Sequence, residues 1–224
     1  MLETGAPPAR LAETYGRYPA MFARLLGDGF QAPTFRVNKG ELPAPDAAID
    51  AYLVTGSPAG VYDDLPWIEP LAEFLRSVRG KKKLVGVCFG HQMLAQAFGG
   101  KVIKSPKGWG VGLQRYAITE REPWMDSSPA VFLTASHQDQ VVELPPGARV
   151  IAASEFTPHA GLAYGDEAIS FQPHPEFEPD FSAALFQERS EALPPDLARQ
   201  AVESLSAPND NARLGRWIGK FLRS

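Results

Sequence analysis

One cysteine, Cys88, stands in the run Lys83-Leu84-Val85-Gly86-Val87-Cys88-Phe89-Gly90-His91-Gln92. An apolar, β-branched segment here enters Gly-x-Cys-x-Gly and then residues that favour helix, which is the pattern of a nucleophile elbow. Glycines two positions before and after the central residue let strand and helix backbones approach closely at a strained turn, holding one side chain exposed at the strand's end. A thiol there sits at the positive end of a helix dipole, which favours thiolate. The backbone N–H of Phe89 points to the same spot, ready to donate to an oxyanion. The same cysteine also reads as a small apolar side chain buried after a core strand, and the elbow pattern alone leaves the two readings even.

A partner for that thiol lies downstream in Ser170-Phe171-Gln172-Pro173-His174-Pro175-Glu176. Prolines on both sides of His174 restrict the backbone, and Glu176, two residues on, can accept a hydrogen bond from the imidazole, fixing its tautomer and raising its basicity. His91, His137 and His159 carry no such setting and read equally well as satisfied core or surface histidines.

The elements needed to position these residues are legible as an alternation of short apolar runs with helical stretches, the mark of a mostly parallel sheet covered by helices. Strands are expected at residues 35–37, 49–54, 83–87 and 168–171, and helices at 15–26, at 67–78 and from after Gly90 through Phe98, where Gly99-Gly100 stops the last of these. From Lys101 to Ser154 short strands at 102–103, 111–119, 131–134, 141–142 and 149–153 predict an antiparallel meander packed beside the parallel sheet, with Ser136 to Asp139 a polar turn. Helices at 180–191, 197–205 and 209–223 predict a helical C-terminal tail over about 180–224. Only Met1-Leu2 precedes the turn at 3–8 where a doubly wound sheet normally opens on an apolar run, so the first residues of such a sheet are expected to be missing. No repeat or long linker divides the chain, and residues 1–224 are expected to form a single domain.

Composition narrows the function. With 22 Lys+Arg against 26 Asp+Glu the net charge is -4, so no domain-wide positive field would attract phosphate backbones or anionic lipid, and neither nucleic acid nor membrane is an expected partner. A lone cysteine excludes an internal disulfide and any multi-thiolate metal site, and it suits a reducing compartment. Neither a leader nor a membrane span is evident, so the cytoplasm is the expected location. No metal or cofactor is expected. The α/β-hydrolase triad follows the chain order nucleophile, acid, histidine, whereas Glu176 follows His174, which disfavours ester cleavage of that type.

Gly86-Val87-Cys88-Phe89-Gly90-His91-Gln92 together with Gln172-Pro173-His174-Pro175-Glu176 resembles the class I, or triad, glutamine amidotransferases, and the loop from Thr55 to Asp64 extends the resemblance over about residues 49–180. The layout is similar to standalone GMP-synthase-type glutaminases and to plant γ-glutamyl peptidases. The resemblance implies a flavodoxin-like α/β fold and attack of Cys88 on the side-chain amide of glutamine or another γ-glutamyl compound. A γ-glutamyl thioester forms, and glutamate and ammonia are released. His174 would move the proton and Glu176 would orient it. Ser57 and Phe89 would supply the oxyanion-hole N–H groups, and Gly56, Ala59, Gln92, Gln138 and Asp139 would hold the substrate. Many members have glycine where Ser57 stands, a change that keeps the backbone donor but narrows the loop's conformations. No nucleotide-binding segment follows residue 180, so acceptor chemistry would need a separate synthetase chain. A γ-glutamyl peptidase acting alone is the alternative, and a catalytically silent binding protein on the same fold a third reading. Trp109, between glycines, is a candidate for the substrate approach or for packing.

Overall fold

The computed structural model describes residues 1–224. Five parallel strands form its centre: β1 (Leu2–Glu3), β2 (Phe35–Arg36), β3 (Ala51–Val54), β4 (Lys83–Val87) and β11 (Ala168–Phe171). Their order is β2-β1-β3-β4-β11, which is the flavodoxin-like winding. The remaining strands are β5 (Lys101–Lys104), β6 (Gly110–Ile118), β7 (Ala130–His137), β8 (Asp139–Glu143), β9 (Arg149–Ala153) and β10 (Gly161–Tyr164).

Side-chain alternation along the central strands feeds two cores. Tyr52, Val54 and Leu84 face helices α3 (Ile68–Val78) and α4 (Phe89–Ala97). Leu53, Val85, Val87 and Ile169 face Phe22 of α2 (Tyr18–Leu26) and Leu214, Trp217, Ile218 and Phe221 of α7 (Asn211–Arg223). Both faces are therefore covered, as an apolar parallel sheet requires. In α3 the residues Ile68, Leu71, Phe74, Leu75 and Val78 recur at helical spacing and are all buried, each large side chain contributing about 1.5–3 kcal/mol by leaving water.

The structure departs from the sequence expectations in definite places. The meander does not lie beside the parallel sheet: β10, β9, β6 and β7 continue the same nine-stranded sheet beyond β11, and only β5 and β8 form a separate two-stranded sheet. The polar turn expected at 136–139 shrinks to a bend at Gln138, because β7 runs through His137 and β8 starts at Asp139. Strand β10, whose Gly161-Leu162-Ala163-Tyr164 is too short to show a period, was not anticipated. The helix expected at 15–26 is α2, which starts only at Tyr18 because the chain breaks at Gly16, where φ is +86°; the preceding helix α1 (Ala9–Tyr15) was not anticipated. Glu3 belongs to β1 rather than to a turn, and α4 begins at Phe89, before Gly90. Nor is the C-terminal region a tail. Helices α5 (Pro179–Glu188) and α6 (Pro195–Ser204) pack Phe186, Ala198 and Ala201 with Val111 of β6, and α7 forms one wall of the second core.

Candidate active site

The carboxyl ends of β3, β4 and β11 lie side by side, and the loops leaving them bring the singled-out residues together. Cys88 follows β4 with φ 53° and ψ -107°, and no other non-glycine residue has positive φ. The flanking glycines make that turn possible. A Cβ on Gly86 would lie 2.4 Å from the Gly90 carbonyl oxygen, and one on Gly90 would lie 2.2 Å from that of Val54. The Cys88 N–H donates to the Phe171 carbonyl at 2.9 Å, tying the elbow to β11. Phe89 opens α4 and Ser57 sits in the loop after β3; neither backbone N–H donates within the protein.

The turn after β11 is anchored by the His174 N–H, which donates to Thr134 O of β7 at 2.8 Å. The His174 Nδ1–H donates to Glu176 Oε1 at 2.8 Å, and the imidazole stacks on Phe177 at 3.9 Å between ring centres. Nδ1 being so engaged, Nε2 is the nitrogen left for the thiol. Burial alone would lower the basicity of His174, but the Glu176 carboxylate and the Cys88 sulfur outweigh it and push the pKa up to about 10. Gly56 packs against this pair: a Cβ there would be 3.1 Å from His174 Cε1 and 3.8 Å from Cys88 Cβ.

Cys88 and His174 open into a cavity of about 490 Å³. Ser57, Ala59, Gln92, Gln138 and Asp139 all line it, as does Trp109. Gly56, Phe89 and Glu176 do not; Gly56 supports the loop, Phe89 is buried with its N–H at the head of α4, and Glu176 lies behind the imidazole. Gln92 Nε2 donates both to Asp139 O at 3.0 Å and to Gln172 Oε1 at 3.1 Å, fixing its orientation. The Ser57 side chain has a structural use, since its Oγ donates to Thr4 O at 3.0 Å and accepts the Ala59 N–H at 3.2 Å. Sequence reasoning missed Tyr18, Tyr62, Asp63, Lys104 and Arg189 as cavity residues. Tyr62 and Asp63 belong to the 55–64 loop that carries Ser57 and Ala59, whereas Tyr18, Lys104 and Arg189 come from α2, β5 and the end of α5, far apart in sequence, and no local spacing links them.

A positive-φ cysteine at an elbow, a carboxylate-held imidazole and unpaired N–H groups thus stand together at one end of a flavodoxin-like sheet. Residues 23–188 match the family model described as glutamine amidotransferase class-I, and the chain belongs to that family. It is 29% identical to a glutamine amidotransferase-like protein of Schizosaccharomyces pombe over 99% of this chain and 97% of that protein. It is 32% identical to γ-glutamyl peptidase 4 of Arabidopsis thaliana, over 80% of this chain and 76% of the relative. A GMP synthase of Pyrobaculum aerophilum is 30% identical over 70% of this chain, which spans 31% of that larger protein. Among solved structures, a glutamine amidotransferase from Thermotoga maritima shares the fold with a TM-score of 0.79 at 17% identity, covering 100% of this chain and 98% of its own. No helix is long and apolar enough to cross a membrane.

Proposed function

We propose that this chain hydrolyses γ-glutamyl amides through a thioester on Cys88. The thiolate adds to the γ-carbonyl carbon, and the resulting oxyanion is met by the N–H groups of Ser57 and Phe89. The carbon–nitrogen bond then breaks as protonated His174 gives its proton to the departing nitrogen, leaving a γ-glutamyl thioester. Water, giving a proton back to His174, adds to the thioester, and glutamate departs as the thiolate is restored. Glu176 keeps His174 in the required tautomer. Gln92, Gln138 and Asp139, with the Gly56–Ala59 loop, hold the glutamyl group. The observation that carries this reading is the positive-φ cysteine facing an imidazole bonded to a buried carboxylate.

The departing nitrogen is ammonia if the substrate is glutamine, and a separate synthetase chain would then consume it. It is an amine if the substrate is a γ-glutamyl conjugate. The cavity favours the conjugate, because about 490 Å³ lined by Tyr62, Asp63, Lys104 and Arg189 is a roomy, charged cleft of the size that takes whole ligands, unlike an apolar collar closed around a released ammonia. A reducing compartment such as the cytoplasm suits a lone nucleophilic thiol. The test is glutamate release from glutamine and from γ-glutamyl dipeptides. Wild type should release glutamate, faster from dipeptides, whereas Cys88→Ala and His174→Ala should lose at least about 10³-fold in kcat/KM. Equal release by all three proteins would overturn the assignment.

A further inference from the structure

The charged side chains lining the cavity come from separate parts of the fold: Asp63 from the loop after β3, Lys104 and Asp139 from the small sheet, and Arg189 from the end of α5. Lys104 and Asp139 are cross-strand partners in the small sheet, and Tyr62 lines the cavity with them. Gln92, one helical turn from Cys88, reaches the backbone of the same Asp139. A carboxylate and an ammonium side by side match the α-amino and α-carboxylate groups of a glutamyl moiety.

Arg189 stands apart from them. It closes α5, its Nη1–H donates to Ser136 Oγ at 3.0 Å, and it faces Tyr18. Tyr18 stacks on Phe177 at 5.8 Å and Phe177 on His174 at 3.9 Å, so the guanidinium is on the imidazole's side of the cavity. The contact with Ser136 is its only side-chain hydrogen bond, and a guanidinium has five donors, so most of the fork is free within a partly buried cleft. A general acid must stand beside the nitrogen it protonates. A cation joined to that acid through the Tyr18–Phe177–His174 stack and lining the same cavity is placed to meet the leaving group rather than the glutamyl end.

We infer that Arg189 binds a carboxylate of the leaving group, so that the preferred substrates are γ-glutamyl amino acids and peptides whose departing amine carries a free carboxylate. This rests on the γ-glutamyl hydrolase reading and names the substrate class within it. In an α-amino acid the carboxylate is separated from the departing nitrogen by a single carbon, close enough for the residue beside the acid to meet it. Ammonia and simple alkylamines offer Arg189 nothing.

The test compares γ-glutamyl-alanine with γ-glutamyl-alanine amide, which differ only in that carboxylate, in wild type, Arg189→Gln and Arg189→Lys. Charge-assisted bonds of this kind predict a wild-type kcat/KM ratio of about tenfold or more in favour of the free acid. The ratio should fall to near unity in Arg189→Gln and to an intermediate value in Arg189→Lys, which keeps the charge but loses the planar fork. A wild-type ratio near unity, or an undiminished ratio in Arg189→Gln, would overturn the inference while leaving the hydrolase reading intact. Should Arg189→Gln fail to fold, Arg189→Lys decides by the same ratio. No glutamate from either compound in wild type would instead overturn the hydrolase reading itself.

Discussion

At Cys88 a φ of 53° places a β-carbon-bearing residue where glycine is the usual occupant, a strain of order 1–3 kcal/mol that the surrounding packing must hold. Its counterpart is His174, whose pKa burial would lower and whose neighbours Glu176 and Cys88 raise to about 10. With Glu176→Gln the imidazole loses its anionic partner, so its pKa should move down, which NMR titration of the His174 ring protons would register. The same variant should lose about 10²–10⁴-fold in kcat/KM, since a neutral amide no longer stabilises the imidazolium and its NH2 group, turned toward Nδ1, selects the wrong tautomer for the thiol. Ser57 makes a finer test. Its hydroxyl ties the loop to Thr4 and to the Ala59 N–H, so Ser57→Ala keeps the backbone donor but removes two hydrogen bonds of about 1 kcal/mol each. Its kcat should fall, and its melting temperature should drop by a few degrees in a thermal scan.

The elbow works as an element because two backbones almost touch. Val54 O would lie 2.2 Å from a Cβ on Gly90, and the Gly90 carbonyl 2.4 Å from one on Gly86. Gly86→Ala and Gly90→Ala should each destabilise by about 1–3 kcal/mol or more, because β4 and α4 must separate. Urea unfolding checks this, with Gly147→Ala as the control; a Cβ there meets nothing within 4 Å, and its φ of +79° brings only a backbone penalty. This element was legible in the sequence because its glycines, strand and helix are contiguous, as are the histidine and glutamate of the proline-bracketed turn. Elements whose partners are distant were read less well. Strand β10 is defined by its pairing with β9 and β11 rather than by any period of its own. Ser136 and His137 look like turn residues, yet pairing with Val111 and Gly110 of β6 keeps them in strand β7. Tyr18 and Arg189 became visible as cavity residues only when α2 and α5 were brought over the sheet.

Across the whole molecule, three buried histidines impose opposing pH trends. Burial lowers His91 to about 3 and His137 to about 4, from 6.5 when free. Their contribution to stability is present above pH 6.5 and is lost as pH falls through about 4 and then about 3, because the unfolded chain binds those protons first. His174 runs the other way: held at about 10, it contributes fully below pH 6.5 and loses that contribution as pH rises through 10. Urea midpoints measured from pH 4 to 10 should therefore pass through a maximum near pH 6.5, with the alkaline decline shallower in Glu176→Gln. The two cores and the nine-stranded sheet hold the three loops that carry Ser57, Cys88 and His174 at one end. That convergence underlies the proposal of covalent catalysis, and the covalent bond itself is the most direct thing to look for. Acid-quenched mixtures of protein and a γ-glutamyl dipeptide, digested and analysed by mass spectrometry, should yield the Cys88 peptide carrying one γ-glutamyl group, absent from Cys88→Ala. Steady glutamate release with no such adduct, undiminished in Cys88→Ala, would contradict the account.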